Sequence, residues 1–147
     1  MNFIHPTAVI GDPPEMRGHR WTRKHFAPLI DAEVVIEAHV SVDAGVERRT
    51  EIGRGTWLMK KCHVGHDAQI GAHCEIAPLT SVGGYVEIGD WVKVGQGAVF
   101  KPGVKVGDGA VIGAGAVVVK DVPAGETWCG NPARVLHSRR EPTKTAV

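Results

Sequence analysis

The sequence predicts an all-β protein, a three-sided parallel β-helix. Three observations carry that prediction: an apolar residue at every sixth position, a column of small residues two places before it, and glycine frequently just after it. Stepping by six from Val34 gives Val40, Val46, Ile52, Leu58, Val64, Ile70, Ile76, Val82, Ile88, Val94, Phe100, Val106, Ile112 and Val118. All 15 positions are apolar against a 43% background, which chance produces about once in 10⁵ to 10⁶ trials. The second column runs Ala32, Ala38, Ala44, Thr50, Thr56, Cys62, Ala68, Cys74, Thr80, Val86, Val92, Ala98, Val104, Ala110 and Ala116. Each of these is small or β-branched. Alternate residues of a strand share a face, so both columns are expected to point inward. Glycine follows eight of the 15 large positions, from Gly53 to Gly113, where the chain is expected to bend as it leaves a strand. An α-helix cannot hold a period of six, because six residues advance its face by about 600°. Three six-residue units make a triangular coil of 18, and Val34 to Asp121 holds about five coils.

The rest of the chain is organised around that repeat as a single domain, residues 1–147. Residues 1–11, with Ile-His-Pro-Thr-Ala-Val-Ile-Gly at Ile4 to Gly11, read as an opening strand. Residues 12–31 break the pattern with the pair Pro13-Pro14 and a run of basic residues and read as a basic loop. The regular coils span 32–122, a terminal segment 123–137, and a polar tail 138–147 is expected to fray.

Lys and Arg number 17 against 16 Asp and Glu, so charge makes no case for nucleic acid or an acidic membrane as partner. Met1 to Asp12 lacks a basic stretch followed by an apolar one, so no signal peptide is expected. The longest apolar run, Ala116 to Val119, is too short to span a bilayer. Three widely spaced cysteines form neither a disulfide framework nor a zinc pattern. A reduced, cytoplasmic protein is the expectation. Cys62 and Cys74 fall in the inward column, where thiols are inert, and Cys129 has no partner histidine in its motif.

Histidine is the informative residue type for chemistry. Of eight, His5, His19, His25, His39, His73 and His137 read as surface or loop residues. His63 and His66 differ, lying in Cys62-His63-Val64-Gly65-His66-Asp67 within the most regular repeats. Because Cys62 and Val64 point inward, His63 points outward, and His66 falls at a coil corner. Spacing alone leaves two readings open: a solvated pair beside a carboxylate, or a catalytic site.

The repeat resembles the left-handed parallel β-helix of the hexapeptide acyltransferases, over about residues 34–136. Handedness comes from that resemblance alone, since general crossover rules favour the right hand. His-Val-Gly-His-Asp is similar to the catalytic segment shared by the lipid A acyltransferase of UDP-N-acetylglucosamine and the bacterial sugar N- and O-acetyltransferases. Pro123 to Leu136 resembles the terminal segment of the acetyl-CoA-dependent enzymes. The resemblance implies transfer of an acyl group, acetyl above all, from acyl-CoA to an amino or hydroxyl group of a sugar or nucleotide sugar, with no permanently bound cofactor or metal. It implies a homotrimer with sites between subunits, and His66 as general base, a role suited to a neutral imidazole.

The candidate catalytic set is then His66, Asp67 and Gly84. Asp67 would orient the ring, and Gly84, one coil of 18 beyond His66, would offer a backbone N–H to the thioester oxyanion. His63 and Tyr85 are expected at the acceptor, as are Arg17, Arg20 and Arg23, whose guanidiniums suit a diphosphate. Tyr85 departs from the lipid A enzyme, which has histidine after that glycine. The same column, Arg48, His66, Gly84, Pro102 and Lys120, puts Lys120 roughly 14 Å from His66, within reach of a pantetheine arm. Gly84, Pro102, Lys120 and Arg134 are the expected CoA contacts. Trp57, Trp91 and Trp128 suit either a subunit interface or a sugar face. Three other readings stand beside it: acyl-carrier-protein-dependent transfer, a γ-carbonic-anhydrase-like metal enzyme using His66 and His73, and a non-catalytic scaffold. The carrier-protein enzymes carry a C-terminal helical domain and many sugar acetyltransferases an N-terminal nucleotide-sugar domain, and neither is expected in this chain.

Overall fold

The computed structural model describes residues 1–14 and 24–137. Its strands are short, mostly two residues, and lie in three sheets. The first face stacks Phe3–Ile4, Val35–Ile36, Trp57–Leu58, Glu75–Ile76, Lys93–Val94, Val111–Ile112 and Thr127–Cys129 in parallel. Arg134–His137 closes that face as an antiparallel strand. The second face holds Val9–Asp12, Ser41–Asp43, His63–Val64, Ser81–Val82, Val99–Phe100 and Val117–Val118. The third holds Leu29–Ile30, Glu51–Ile52, Gln69–Ile70, Glu87–Ile88 and Lys105–Val106, with Val122 bridging to Val106. Each strand pairs with the equivalent strand one coil away, which makes a three-sided parallel β-helix. Among the described residues no helix is long and apolar enough to cross a membrane.

From Thr50 onward both inward columns behave as the periodicity predicts. Ile52, Leu58, Val64, Ile70, Ile76 and Val82 are at most 3% exposed, and the small residues two places before them are buried as well. Five coils follow Val34, and residues 3–30 complete one more before them. Before Thr50 the phase differs. Ile36 and Val42, not Val34 and Val40, align with Leu58 and Val64 in the large column. Val34 and Val40 fill the small column and are fully buried, while Ala32 is exposed, Ala38 only half-buried and Val46 outside the wall. The cause is an insertion. Val42 to Ile52 is ten residues where the repeat allows six, so four extra residues bulge out near Gly45–Arg48.

Residues 12–31 hold the other interruption, and it ends sooner than the sequence suggests: Leu29 and Ile30 already pair with Glu51 and Ile52. The opening segment forms two strands, on the first and second faces, rather than one. Both interruptions fall between a strand of the second face and one of the third, Val9–Asp12 and Leu29–Ile30 in the first coil and Ser41–Asp43 and Glu51–Ile52 in the second. His66 occupies the corner between those faces in the third.

The corners also correct the expected role of glycine. The left-handed residue is the third after each large inward one: Gly55, Lys61, Asp67, His73, Leu79, Tyr85, Trp91, Gly97, Gly103, Gly109 and Gly115 all have φ between +55° and +78°. Non-glycine residues pay roughly 1–2 kcal/mol for that conformation. A hydrogen bond to the previous coil offsets it, as from Tyr85 N–H to His66 C=O at 2.9 Å and from His73 N–H to Arg54 C=O at 2.8 Å. The glycines directly after the large residues serve close stacking instead. A Cβ on Gly53 would lie 2.5 Å from the carbonyl carbon of Gly71 in the next coil.

Candidate active site

His63 ends up on the second face and His66 at the adjoining corner, and different partners hold them. His63 Nδ1 lies 2.9 Å from Ser41 Oγ, and its Nε2 lies 3.8 Å from Asp43 Oδ2. His66 Nδ1 lies 2.8 Å from Asp67 Oδ2, within hydrogen-bond distance. The His66 side chain is 17% exposed and that of Asp67 is fully buried.

A fully buried carboxylate is costly by several kcal/mol unless its charge is met by donors. Asp67 is met by four. Besides His66, the inserted loop donates three successive backbone N–H groups, Val46 to Oδ2 at 3.0 Å and Glu47 and Arg48 to Oδ1 at 2.8 and 2.6 Å. Burial pushes the Asp67 pKa up. The Arg48 N–H, His66 and the N–H groups of Val46 and Glu47 outweigh it and leave the carboxyl below its ordinary value. Asp67 is also the corner residue whose N–H lacks the usual carbonyl of the previous coil, and the buried Thr50 hydroxyl accepts it at 3.0 Å.

Gly84 is stacked against the base. A Cβ there would lie 2.6 Å from His66 Nε2 and 2.8 Å from Cε1, so any side chain would push the ring out of place. The left-handed turn at this corner belongs to Tyr85 (φ 61°), so Gly84 is required by contact with the ring. At the equivalent position of other corners the N–H points outward and a carboxylate takes it: Lys60 to Glu37, Ala72 to Asp90 and Asp90 to Asp108. Among the described residues the Gly84 N–H has no such acceptor. The Tyr85 ring meets the His66 ring edge to face, centroids 4.9 Å apart at 88°.

A cavity of about 460 Å³ opens beside the pair, lined by Asp12, Pro13, Pro14, Ser41, Asp43, His63, Gly65, His66 and Gly84. The structure thus brings together His63, His66, Asp67 and Gly84. Tyr85 packs on His66 but lines a neighbouring cavity with Glu47, Arg48, Glu87 and Gly103. Pro102 stacks under Gly83 in the next coil, and Lys120 follows one coil further on, exposed. Arg134 lies on the antiparallel closing strand, where its Nη1 donates to Ala133 C=O, and does not line the His66 cavity. Arg17, Arg20 and Arg23, like the tail 138–147, lie outside the described residues. Arg48 does not stack in register under His66, because the insertion displaces it; its guanidinium reaches Asp67 C=O and Glu87 instead.

Sequence reasoning missed Asp12, Ser41 and Asp43. Ser41 pairs with His63 across 22 residues instead of 18, and the extra four are the insertion. The other reactive residue types fall elsewhere. Burial pushes the Cys62 thiol up to about 11 and raises Cys74 too. His73 occupies a different corner, stacked on Trp91 with centroids 4.3 Å apart. It therefore cannot join His66 on one metal within the chain, and among the described residues no three ligating side chains converge. Trp57 donates to Glu37 at 2.9 Å, and Trp128 packs on the core and donates to Glu126 at 2.7 Å.

Residues 49–84 and 85–120 match the family described as bacterial transferase hexapeptide (six repeats). The regular coils from Arg49 to Lys120 are built of hexapeptide repeats of this kind. The chain's three-sided coil is accordingly the left-handed parallel β-helix of such repeats. Over 60 residues it is 42% identical to a UDP-3-O-acylglucosamine N-acyltransferase of Paracoccus denitrificans, a match spanning 40% of this chain and 16% of that protein. Among solved structures it is similar to a variant of perosamine N-acetyltransferase from Caulobacter crescentus in complex with CoA and GDP-perosamine. The TM-score is 0.76 and the identity 28%, over 94% of this chain and 57% of that one. It is also similar to the UDP-N-acetylglucosamine acyltransferase of Arabidopsis, with TM-score 0.88 and 27% identity, over 92% and 47% of the two chains. The chain spans about half the length of these solved relatives.

Proposed function

We propose that this protein transfers an acyl group, acetyl above all, from acyl-CoA to an amino or hydroxyl group of a sugar or nucleotide sugar, with His66 as general base. The observation that carries the proposal is the His66 ring, tied at Nδ1 to a buried carboxylate and stacked at Nε2 over Gly84 beside an open cavity. With Nδ1 protonated, Nε2 keeps its lone pair and accepts the acceptor's proton. The freed oxygen or nitrogen attacks the thioester carbonyl carbon, and the carbonyl electrons move onto oxygen, where the outward Gly84 N–H is available. Collapse expels the CoA thiolate, which recovers the proton from His66. The buried cysteines argue for direct transfer without an acyl-enzyme.

The relatives complexed with CoA and GDP-perosamine support both substrate classes. On this reading His63, with Ser41 and Asp43, meets the acceptor. Lys120 and Arg134 meet the CoA phosphates along the helix axis, and Arg17, Arg20 and Arg23 meet the acceptor diphosphate. The molecule works as a closed trimer with sites between neighbours, and reduced thiols and acyl-CoA chemistry suit the cytoplasm.

The test is release of free CoA thiol from acetyl-CoA by the purified protein, given a panel of UDP- and GDP-sugars. Acyl carrier protein charged with a longer chain serves as a second donor. Thiol release from acetyl-CoA that depends on one nucleotide sugar is the expected result. Release only from the carrier protein would reassign the donor, and release from neither would refute the activity. A monomeric mass in sedimentation at micromolar concentration would count against the shared site.

A further inference from the structure

Arg48 sits where no repeat rule would put it, and both its backbone and its side chain engage Asp67. Its N–H donates to Asp67 Oδ1 at 2.6 Å, and its Nε donates to the Asp67 carbonyl at 3.0 Å. The guanidinium then continues to Glu87 Oε1 on the third face, at 3.2 to 3.3 Å. Besides Arg48, the loop is held by the Val46 and Glu47 N–H groups on Asp67, by Gln69 Nε2 donating to the Arg49 carbonyl at 2.8 Å and by a side-chain hydrogen bond between Glu47 and Tyr85, and no apolar side chain of the loop enters the core. Glu47, Arg48 and Arg49 are exposed, and Val46 is half-buried outside the apolar wall. Its first residue, Gly45, is anchored by paired hydrogen bonds with Phe26. The loop doubles back so tightly that a Cβ on Gly45 would fall 1.7 Å from the Arg48 carbonyl oxygen.

We propose that Arg48 is a positioning residue, a strap that holds the inserted loop on Asp67 and thereby fixes the tautomer of His66. The reasoning is one of donor counting. An ionised carboxylate only accepts, so the Asp67 that receives three loop N–H groups must also receive the fourth donor, the Nδ1–H of His66. That leaves Nε2 unprotonated, the form able to take a proton. When the strap is cut, the exposed loop lifts, the buried carboxylate loses donors, and its neutral form gains ground. Asp67 then takes a proton from solvent and donates it to Nδ1, while the imidazole carries its own proton on Nε2. The base is then blocked although every group named in the transfer remains present.

The inference rests on His66 as the base, but its test does not need turnover. The imidazole nitrogens of His66 are read in a ¹⁵N–¹H correlation spectrum of labelled protein without substrate, assigned with His66→Ala. The native protein is expected to show Nε2 unprotonated. Arg48→Ala is expected to move His66 toward the Nε2–H tautomer and to lower kcat by about 10- to 100-fold, with the KM for acyl-CoA within about two-fold of native. Glu87→Gln, which loosens only the outer end of the strap, is expected to shift the spectrum part of the way. Lys105→Ala removes the other partner of Glu87 and should leave the His66 tautomer as in the native protein. An unchanged tautomer in Arg48→Ala overturns the proposal. If that variant does not fold, an unchanged tautomer in Glu87→Gln overturns it instead. A chain that shows the tautomer shift but transfers no acyl group would refute the proposed activity and leave the strap standing.

Discussion

His66 and Asp67 are neighbours in sequence, yet their side chains meet, with Nδ1 2.8 Å from Oδ2. Adjacent residues of a strand point to opposite faces, so this contact depends on the left-handed φ of 59° at Asp67. That turn swings the carboxylate back under the corner, where the inserted loop of the preceding coil receives it.

Replacing that carboxylate should separate charge from shape. Asp67→Asn keeps the size but sets an amide N–H₂ against backbone donors or the imidazole. It is expected to cost about 1–3 kcal/mol of stability and to lower kcat/KM by less than His66→Ala but more than His63→Ala. The pH dependence has a defined direction. The native Asp67 carboxyl lies below its ordinary value, so its contribution is complete above the unfolded-state pKa of about 3.9 and is lost as pH falls through the native one. Thermal melts between pH 3 and 7 should show the gap between native and Asp67→Asn closing at the acid end. A gap that widened toward acid would contradict this account of Asp67.

Gly84→Ala tests the stacking. The new methyl would sit 2.6 Å from His66 Nε2, so the ring must move. A loss of kcat/KM on the order of 10² to 10³ is expected, with the β-rich circular dichroism spectrum retained. Gly97→Asn is the contrast. Its φ is +71° with open space around it, and asparagine tolerates that conformation, so a stability change of no more than about 1 kcal/mol is expected. Equal damage from both would mean that glycine is needed at these corners for backbone reasons alone.

The thiols should be bystanders. Cys62 is 1% exposed, donates to the Ala77 carbonyl at 3.1 Å and is pushed up to about 11 by burial. Native protein treated with iodoacetamide near pH 8 should leave Cys62 and Cys74 unmodified by mass spectrometry. Cys62→Ala and Cys74→Ala should keep activity within about three-fold. Abolished transfer in a folded Cys62→Ala would point to an acyl-enzyme instead.

How far the sequence reveals this site depends on insertions. Between Thr50 and Val118 there are none, so a count of 18 from His66 lands on Gly84, and the structure stacks the two. The same count from His63 back to the preceding coil lands on Gly45, whereas Ser41 is the true neighbour. For the same reason Val34 and Val40 fill the opposite column from the one their period suggests. The grip on Asp67 was not legible at all. It needs three N–H groups of an irregular loop, which leave no periodic trace, and the left-handed corner φ at Asp67, which recurs every six residues but is not marked there by a glycine. Arg17, Arg20 and Arg23 lie outside the described residues, and their assignment to the acceptor rests on the sequence alone.

The central claim is that His66 takes the proton. His66→Ala removes a side chain that is largely covered but lies at a corner outside the apolar wall, so the β-helix should survive, as judged by circular dichroism and sedimentation. The deciding measurement is kcat/KM of that variant with acetyl-CoA and the acceptor found for the native protein. A fall of about 10² to 10⁴, with CoA binding intact by calorimetry, is the predicted result. A folded His66→Ala that turns over within a few-fold of the native rate would contradict the account and turn attention to His63, the other imidazole lining the same cavity.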